Sequence, residues 1–333
     1  MGKLDQELLR GGINRRQFLE FCGAMVATLA LPARYVPRVA EALTTATRLP
    51  LVWLEFQDCA GDTESFLRAS QPSIDELLLE TISLDYHETL MVAAGAHAGE
   101  NLWTTIDQYS GKYICIVEGA IPTADGGIYC TVRGRTALSM AQAVCGQARA
   151  TIAVGSCACD GGIAAAAPNP TGAVGVGEAM PGLSELVCLP GCPANVVNLT
   201  ATLVYLLTFD EFPSLDQYGR PRFAYGQLIH DQCERRKFYD QGRFVREWGD
   251  QGHQRGWCLY KMGCKGPETH HNCPSVLWNQ GTSWPVGVGH GCIGCTEPNF
   301  WDRHSSLYQA MEDTGSDEDL PASKRGGRGR GRG

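Results

Sequence analysis

Short apolar runs alternate with segments of helical spacing between residues 49 and 207. The apolar runs that predict buried strands are Leu49–Phe56, Leu90–Ala94, Tyr113–Glu118, Ala150–Gly155 and Leu186–Leu189. The segments with helical spacing are Ser73–Ile82, Thr136–Gln147 and Pro193–Leu207. The first of these opens on a capping-box pattern, with Ser73 followed by Glu76. This alternation predicts an α/β fold with a doubly wound parallel sheet over residues 48–212.

The pattern becomes irregular after Phe212, where proline and glycine recur and periodic apolar spacing is lost. We therefore place a domain boundary near Pro213 and expect a second, loop-rich domain over residues 213–312. Because such a segment buries little apolar surface, metal coordination would have to supply much of its order. Residues 313–333 are acidic and then rich in Arg–Gly repeats, which predicts a disordered, solvated tail. We expect no membrane-spanning segment after it.

The N-terminal segment, residues 1–47, resembles a twin-arginine export signal. Arg15 and Arg16 precede Phe18 and Leu19, and a short apolar run follows from Cys22 to Pro32. This route exports folded proteins, as a chain with preassembled metal centres would require. It predicts a periplasmic or outer-face location. The alternative is an amphipathic N-terminal helix that begins with two arginines and stays in the cytoplasm. Whether the segment is cleaved is left open.

Composition points to cofactor chemistry. The net charge of −8 and pI of about 5.5 provide no long-range attraction to nucleic acid or anionic lipid. Fifteen cysteines, an odd number concentrated beside glycine and proline, favour metal binding over a disulfide framework. The chain contains no phosphate-binding loop, nucleophile elbow or His-Glu-x-x-His motif.

The densest group of candidate ligands lies between residues 230 and 295. A first set consists of His230, Cys233, Cys258 and Cys264, and a second consists of Cys273, Cys292 and Cys295. Together they would suffice for two iron–sulfur clusters. The second set has three thiolates, with Pro285 where a fourth ligand would stand, which fits a three-iron cluster. Five aromatic residues are candidates to shield these clusters from water, with ordinary core or interface packing as the alternative for each: Trp257, Trp278, Trp284, Phe300 and Trp301.

The alternative for these ligands is zinc, because three cysteines and one histidine also form a tetrahedral zinc site. Under that interpretation the protein would be a structural zinc-binding module. The segment between Cys233 and Cys258 favours iron–sulfur clusters instead, since it is longer and more charged than a compact zinc-finger loop.

A third set follows the predicted strands. Cys59, Cys157 and Cys192 each stand in a Gly- or Pro-containing loop at the carboxyl end of a strand, where ligands of such sheets bind. Three thiolates would almost complete another cluster, and Cys159 or Cys188 could supply the fourth ligand. We interpret the remaining cysteines within predicted elements, Cys115, Cys130 and Cys145, as ordinary core residues.

These motifs together resemble the small, electron-transferring subunit of nickel–iron hydrogenases, from Leu49 to about Trp301. The matching motifs are Cys59-x-x-Asp62, Glu118-Gly-Ala-Ile-Pro122, Gly155-Ser-Cys157-Ala, Pro190-Gly-Cys192-Pro-x-Asn195, His230-x-x-Cys233, Cys258-x5-Cys264, Asn272-Cys273-Pro and Gly291-Cys292-Ile-Gly-Cys295. Within the family, the actinobacterial-type uptake enzymes are the subgroup suggested, which would oxidise hydrogen at low concentration in air.

The resemblance implies a flavodoxin-like domain that holds a proximal 4Fe–4S cluster, and a second domain that holds a medial 3Fe–4S and a distal 4Fe–4S cluster. Hydrogen would be oxidised at a nickel–iron centre in a separate large subunit. Electrons would leave to an acceptor such as a cytochrome, a quinone-linked protein or an iron–sulfur protein. One heterodimer or an assembly of several is expected. A further alternative is the iron–sulfur subunit of another redox complex, such as a quinone reductase.

The chain departs from the family pattern near its first motif. The family usually has Cys-x-x-Cys there, whereas Asp62 occupies the second cysteine position in this chain. We predict that Asp62 is the fourth proximal ligand, with a helix N-cap as the alternative role. Gly61 and Gly162 stand near this site without the extra cysteines of oxygen-tolerant membrane-bound members, so the modified three-sulfide cluster is not expected. We also do not expect the C-terminal membrane helix of those members.

Overall fold

The computed structural model describes residues 15–45, 48–70 and 82–304, together with residues 307 and 309. The strands are β1 (Leu49–Glu55), β2 (Ile82–His87), β3 (Ile114–Glu118), β4 (Ile121–Pro122), β5 (Thr131–Val132), β6 (Arg135–Thr136), β7 (Ala150–Val154), β8 (Ala173–Val174) and β9 (Leu186–Leu189). Five of them form a parallel sheet in the order β2-β1-β3-β7-β9. This is the predicted doubly wound, flavodoxin-like arrangement. Short antiparallel pairs join β4 to β8 and β5 to β6.

The helices lie on both faces of this sheet and in the segments that follow it. They are α1 (Arg15–Thr28), α2 (Val36–Thr45), α3 (Gly61–Leu67), α4 (Gly95–Tyr109), α5 (Ala137–Cys145), α6 (Gly155–Asp160), α7 (Val176–Ala179), α8 (Val196–Phe209), α9 (Arg222–Tyr225), α10 (Ile229–Gln232), α11 (Arg236–Asp240), α12 (Gln251–Gln254), α13 (Cys273–Val276) and α14 (Phe300–Arg303). Two of the predicted helices begin on side-chain caps. Thr136 accepts a hydrogen bond from Ser139 N at the start of α5, and Asn195 accepts one from Val197 N at the start of α8.

The sheet is buried on both faces, which explains why its central strands read as unbroken apolar runs. Every residue of β3 and β7 is buried. Val52 and Leu54 of β1 point into one core, with Leu102 and Met140, while Leu51 and Trp53 point into the other. This second core also contains residues of α8.

One predicted strand is wrong. Residues 90–94 form a turn and extended segment before α4, in which Val92 is fully exposed. The edge strand is β2 instead. Its alternating Ser83 and Asp85 interrupt the apolar run and are only half-buried, because an edge strand has a partner on one side alone. The helix predicted over residues 73–82 lies outside the described residues, except for Ile82, which begins β2.

Helices α1 and α2 of the N-terminal segment pack on α8. Phe18, Cys22 and Met25 of α1 and Val39 of α2 belong to one buried cluster with Val204 of α8. None of the described helices is long and apolar enough to cross a membrane.

Between residues 213 and 304, the structure contains short helices joined by loops, as the sequence predicts. This region docks at the carboxyl ends of the parallel strands. Asn195 Nδ2 donates to Leu277 O at 2.7 Å, and Ser156 Oγ donates to Cys295 O. Within the second region itself, Arg220 donates to Thr296 O at 2.9 Å. The docking places the loops of both regions side by side. The predicted tail, residues 313–333, lies outside the described residues.

Candidate metal centres

Three segments of the sheet domain, which follow β1, β7 and β9, converge on the proximal set. Cys59 follows β1, Asp62 lies in the first turn of α3, Cys157 lies in α6 directly after β7, and Cys192 follows β9. Burial, together with the nearby Asp62 carboxylate and Cys59 thiol, raises the pKa of Cys192 to about 11. Burial likewise raises the pKa of Cys157 to about 12, with added effects of Cys192, Asp62 and Cys59. The four groups are therefore mutual neighbours.

Two glycines allow the backbone to approach this set closely. Gly155 has φ +81°, and a Cβ there would lie 1.9 Å from Asp62 Oδ2. Gly162 has φ +48°, and a Cβ there would lie 2.9 Å from Cys157 Sγ. A larger residue at either position would have to displace a candidate ligand.

The Asp62 carboxylate faces this set rather than capping its own helix. Its Oδ1 accepts a hydrogen bond from Ala194 N at 2.6 Å, in the loop that contains Cys192. The N-cap residue of α3 is Ala60, with no side-chain cap, so the N-cap alternative is wrong. Burial raises the pKa of Asp62 to about 8, with smaller effects of Glu118 and Asp58. Bound iron would favour the ionised form of this carboxylate.

The N-terminus of α3 is held by Glu118. Its motif is among those that carry the family resemblance, but the sequence did not predict a role for this residue. Glu118 is fully buried at the end of β3. It accepts hydrogen bonds from Asp62 N at 3.0 Å, from Thr63 N at 3.1 and 3.2 Å, from Thr63 Oγ1 at 2.6 Å and from Trp53 Nε1 at 3.1 Å. A carboxylate at this position satisfies free N–H groups of the helix and interacts favourably with its dipole. It thereby positions Asp62.

The distal set lines one cavity of the second region. Its four members, His230, Cys233, Cys258 and Cys264, all contribute to the wall. His230 Nε2 is buried and has no hydrogen-bond partner within the described residues. Burial lowers the pKa of His230 to about 4, so its imidazole is neutral and able to bind a metal. Burial raises the pKa of Cys258 to about 12. Three soft sulfurs and a free imidazole nitrogen are suitable ligands for an iron centre. Bound iron would favour the thiolate forms of the three cysteines.

The medial set lines a larger cavity, of about 470 Å³. Cys273, Cys292 and Cys295 contribute to its wall, and Pro285 lies on the same wall. Burial raises the pKa of Cys273 and of Cys295 to about 12. The Cys292 thiol lies 3.6 Å from Thr269 Oγ1. The cavity thus brings together three thiols and the one residue in the predicted fourth position that cannot coordinate iron.

Backbone N–H groups link the three sets in a row. The backbone N–H of Cys192, in the proximal set, is near enough to the Cys295 thiol of the medial set to lower the pKa of that thiol. Cys292 N, of the medial set, donates to Cys264 Sγ of the distal set at 3.2 Å. Within the described residues, no group of three or more His, Cys, Asp or Glu side chains is arranged so that it could hold a single metal ion.

The other cysteines lie in the core, and none of the chain's fifteen cysteines, all of them in the described residues, forms a disulfide. Cys115 and Cys145 are buried with their sulfurs 3.5 Å apart, as expected of core residues. Cys130 is half-buried. Cys159 and Cys188 lie close together in the core on one face of the sheet, and Cys159 Sγ donates to Ala153 O. Neither is therefore assigned as a substitute proximal ligand.

Three of the five predicted shielding aromatics pack beside the second region's ligands. Trp257, Trp278 and Trp284 belong to a cluster that contains Cys233, Cys264, Cys273 and Cys292. Phe300 and Trp301 instead contact each other at a ring-centroid distance of 5.5 Å.

Two protein families match the chain. Residues 225–308 match the C-terminal family of the NiFe/NiFeSe hydrogenase small subunit, and residues 59–206 match the family of the NADH ubiquinone oxidoreductase 20 Kd subunit. The periplasmic NiFe hydrogenase small subunit 1 of Nitratidesulfovibrio vulgaris is 48% identical over 307 residues, which cover 92% of this chain and 96% of that protein.

Solved structures agree with these matches. A reduced, active Ni-Fe-Se hydrogenase from Desulfomicrobium baculatum superposes with a TM-score of 0.75 at 34% identity, over 80% of this chain and 100% of that one. An actinobacterial-type NiFe-hydrogenase from Ralstonia eutropha H16 superposes with a TM-score of 0.71 at 26% identity, over 80% of this chain and 84% of that one. The chain therefore belongs to the small subunits of nickel–iron hydrogenases, which carry iron–sulfur clusters and pair with a large subunit that contains the nickel–iron active site.

Proposed function

We propose that this protein conducts electrons from hydrogen oxidation in the large subunit to an external acceptor, through three iron–sulfur clusters. The proposed ligands are Cys59, Asp62, Cys157 and Cys192 for a proximal 4Fe–4S cluster, Cys273, Cys292 and Cys295 for a medial 3Fe–4S cluster, and His230, Cys233, Cys258 and Cys264 for a distal 4Fe–4S cluster. When bound, such clusters supply reversible one-electron transfer. The single observation that carries the proposal is the row of backbone contacts from Cys192 to Cys295 and from Cys292 to Cys264.

The protein groups around each set prepare it for iron. Burial raises the pKa of the thiols, so iron binding would have to release their protons. The neutral imidazole of His230 has a free nitrogen in the distal cavity. Backbone N–H groups already directed at ligand sulfurs include those of Arg235 to Cys233 and Gly294 to Cys292, both at 3.4 Å. Such hydrogen bonds stabilise the more negative, reduced state and so influence the potential.

Asp62 is the proposed fourth proximal ligand. Its carboxylate lies among three thiols, is not used as a helix cap, and is held toward the Cys192 loop by Ala194 N. A carboxylate is a harder ligand than a thiolate, so it would favour oxidised iron. Ala194 could keep its hydrogen bond to one carboxylate oxygen while the other bound iron.

The acceptor we propose is a cytochrome, a quinone-linked protein or an iron–sulfur protein that docks near the distal set. We also propose export by the twin-arginine route, which is supported by the arginine pair at the start of α1. Physiological uptake of hydrogen is the proposed direction.

The decisive experiment uses the heterodimer purified with its large subunit. Iron and zinc are quantified, and electron paramagnetic resonance is recorded during a redox titration. We expect one three-iron and two four-iron signals, with the three-iron signal lost selectively in Cys295→Ser and all signals retained in the core control Cys145→Ser. A colourless protein with stoichiometric zinc would overturn the proposal in favour of a structural zinc module.

A further inference from the structure

Arg235 is a buried cation beside the distal set. It precedes α11, and only 8% of its surface is exposed. Its guanidinium donates to two backbone carbonyls, Trp257 O at 2.8 Å and Gly287 O at 3.3 Å. Its Nε is buried and has no hydrogen-bond partner within the described residues. One N–H of a buried, charged group is therefore left without an acceptor.

Among the residues that the structure describes, none acts as a counter-ion to the positive charge of Arg235. Within the described part of the chain, no carboxylate forms an ion pair with it. The nearby Asp231 and Asp240 both pair with Arg236, at 2.9 and 3.0 Å. Glu234 is exposed, so water screens its charge. A buried charge with neutral partners alone is costly, which implies that a negative group belongs beside it.

The distal set can supply that negative charge. The charge of Arg235 lowers the pKa of Cys233, Cys258 and Cys264 against the larger effect of burial, so its field reaches all three thiols. Arg235 lines the same cavity as these thiols, and its backbone N donates to Cys233 Sγ. Three thiolates and a neutral imidazole around a four-iron core would have a net negative charge, and reduction adds one electron to it.

We propose that Arg235 is the counter-ion of the distal cluster and sets its reduction potential, with Nε–H directed at a sulfur of this site. The inference rests on the proposed function, because it requires a cluster at the distal set. Arg235 is a positioning residue that does not coordinate iron. Because a positive charge stabilises the more negative reduced state, it raises the potential at the electron exit.

The variants Arg235→Met and Arg235→Lys separate charge from structure. We measure the distal potential in the purified heterodimer by redox titration with electron paramagnetic resonance detection. Arg235→Met is expected to lower the equilibrium constant for reduction at least tenfold, which corresponds to about 59 mV for a one-electron couple. Arg235→Lys keeps the positive charge and should therefore shift the distal potential less than Arg235→Met does. The control Lys237→Gln removes an equal charge from an exposed residue two positions away and should leave the potential unchanged.

A second measurement does not need Arg235→Met and covers the case in which that variant does not fold, since the Arg235 guanidinium also links two loops. Arginine labelled with ¹⁵N in the guanidinium is incorporated into the wild-type heterodimer. The reduced distal cluster should then show a weak ¹⁵N hyperfine coupling, which Arg235→Lys removes.

The outcomes distinguish the inference from the function. An unchanged distal potential in Arg235→Met, or a wild-type cluster without ¹⁵N coupling, would overturn the role of Arg235 while leaving the cluster assignment intact. If Cys258→Ser removes no four-iron signal, the distal assignment itself fails, and the inference fails with it.

Discussion

The backbone N–H of Cys292 donates a hydrogen bond to Cys264 Sγ at 3.2 Å, although 28 residues separate the two along the chain. Cys292 belongs to the medial set and Cys264 to the distal set, so adjacent ligands of two proposed clusters are in direct contact. The proximal loop in turn lies next to Cys295 of the medial set. The two contacts together place the medial set between the other two, which accounts for the proposed order of electron transfer.

Asp62→Ala should perturb the proximal signal and the resistance of the enzyme to oxygen, while the medial and distal signals stay unchanged. The physical reason is that removal of the carboxylate leaves one iron without a protein ligand. The control is Glu64→Ala, an exposed acidic residue of the same helix. Electron paramagnetic resonance of both variants, with activity after exposure to air, provides the measurement. An unchanged proximal spectrum in Asp62→Ala would refute ligation by Asp62.

Glu118→Ala should lower the free energy of unfolding by about 3 kcal/mol, because it leaves buried N–H and O–H donors of Asp62, Thr63 and Trp53 without an acceptor. The proximal signal should also broaden as α3 loses its anchor. Glu64→Ala again serves as the control. Its pair with Arg68, at 3.7 Å, is exposed, so we expect a change below about 1 kcal/mol. Urea unfolding measures both, and equal midpoints for the two variants would contradict the anchoring role.

His230→Cys should retain a four-iron distal cluster and lower its potential by on the order of 100 mV, because a thiolate adds negative charge where a neutral imidazole was bound. Folding should be preserved, since a cysteine side chain is smaller than the imidazole that contacts Tyr239 at a centroid distance of 4.4 Å. Redox titration and hydrogen uptake with a soluble acceptor check the prediction. If neither changes, His230 is not a ligand.

Pro285→Cys should convert the medial three-iron signal into that of a four-iron cluster. The reason is that Pro285 lies on the wall of the cavity that contains Cys273, Cys292 and Cys295, where a fourth thiolate could complete the cluster. Pro285→Ser provides the matched control, because it removes the ring without adding a thiol. A three-iron spectrum that stays unaltered in Pro285→Cys would mean that residue 285 does not face the vacant position.

Replacement of both Arg15 and Arg16 by lysine should abolish export, because a twin-arginine receptor reads the two guanidinium groups. Arg16 pairs with Glu20 at 2.8 Å on the surface of α1, an exposed contact that contributes little to stability. Cell fractionation and immunodetection measure the location, with Arg34→Lys as control in the same segment. Unchanged location of the double variant would leave the N-terminal segment as a helix that packs on α8.

Strands β1, β3, β7 and β9 and the row of candidate cysteines could be predicted from the sequence. A strand covered on both faces must be apolar throughout, and ligand cysteines occur in glycine- and proline-containing loops, so both features leave local patterns. The edge strand β2 left no such pattern, because Ser83 and Asp85 face a side of the sheet that is only half-buried.

Tertiary structure alone decided which polar side chains, other than the candidate ligands, surround the sites. The sequence contains Arg235 and Arg236 side by side, yet folding buries Arg235 next to the thiols and pairs Arg236 with Asp231 and Asp240. It also brings Glu118 to the start of α3, 56 residues away from Asp62 in sequence. Burial and charge pairing depend on packing between distant segments, whereas periodicity and loop composition are local, so only the latter can be read along the chain.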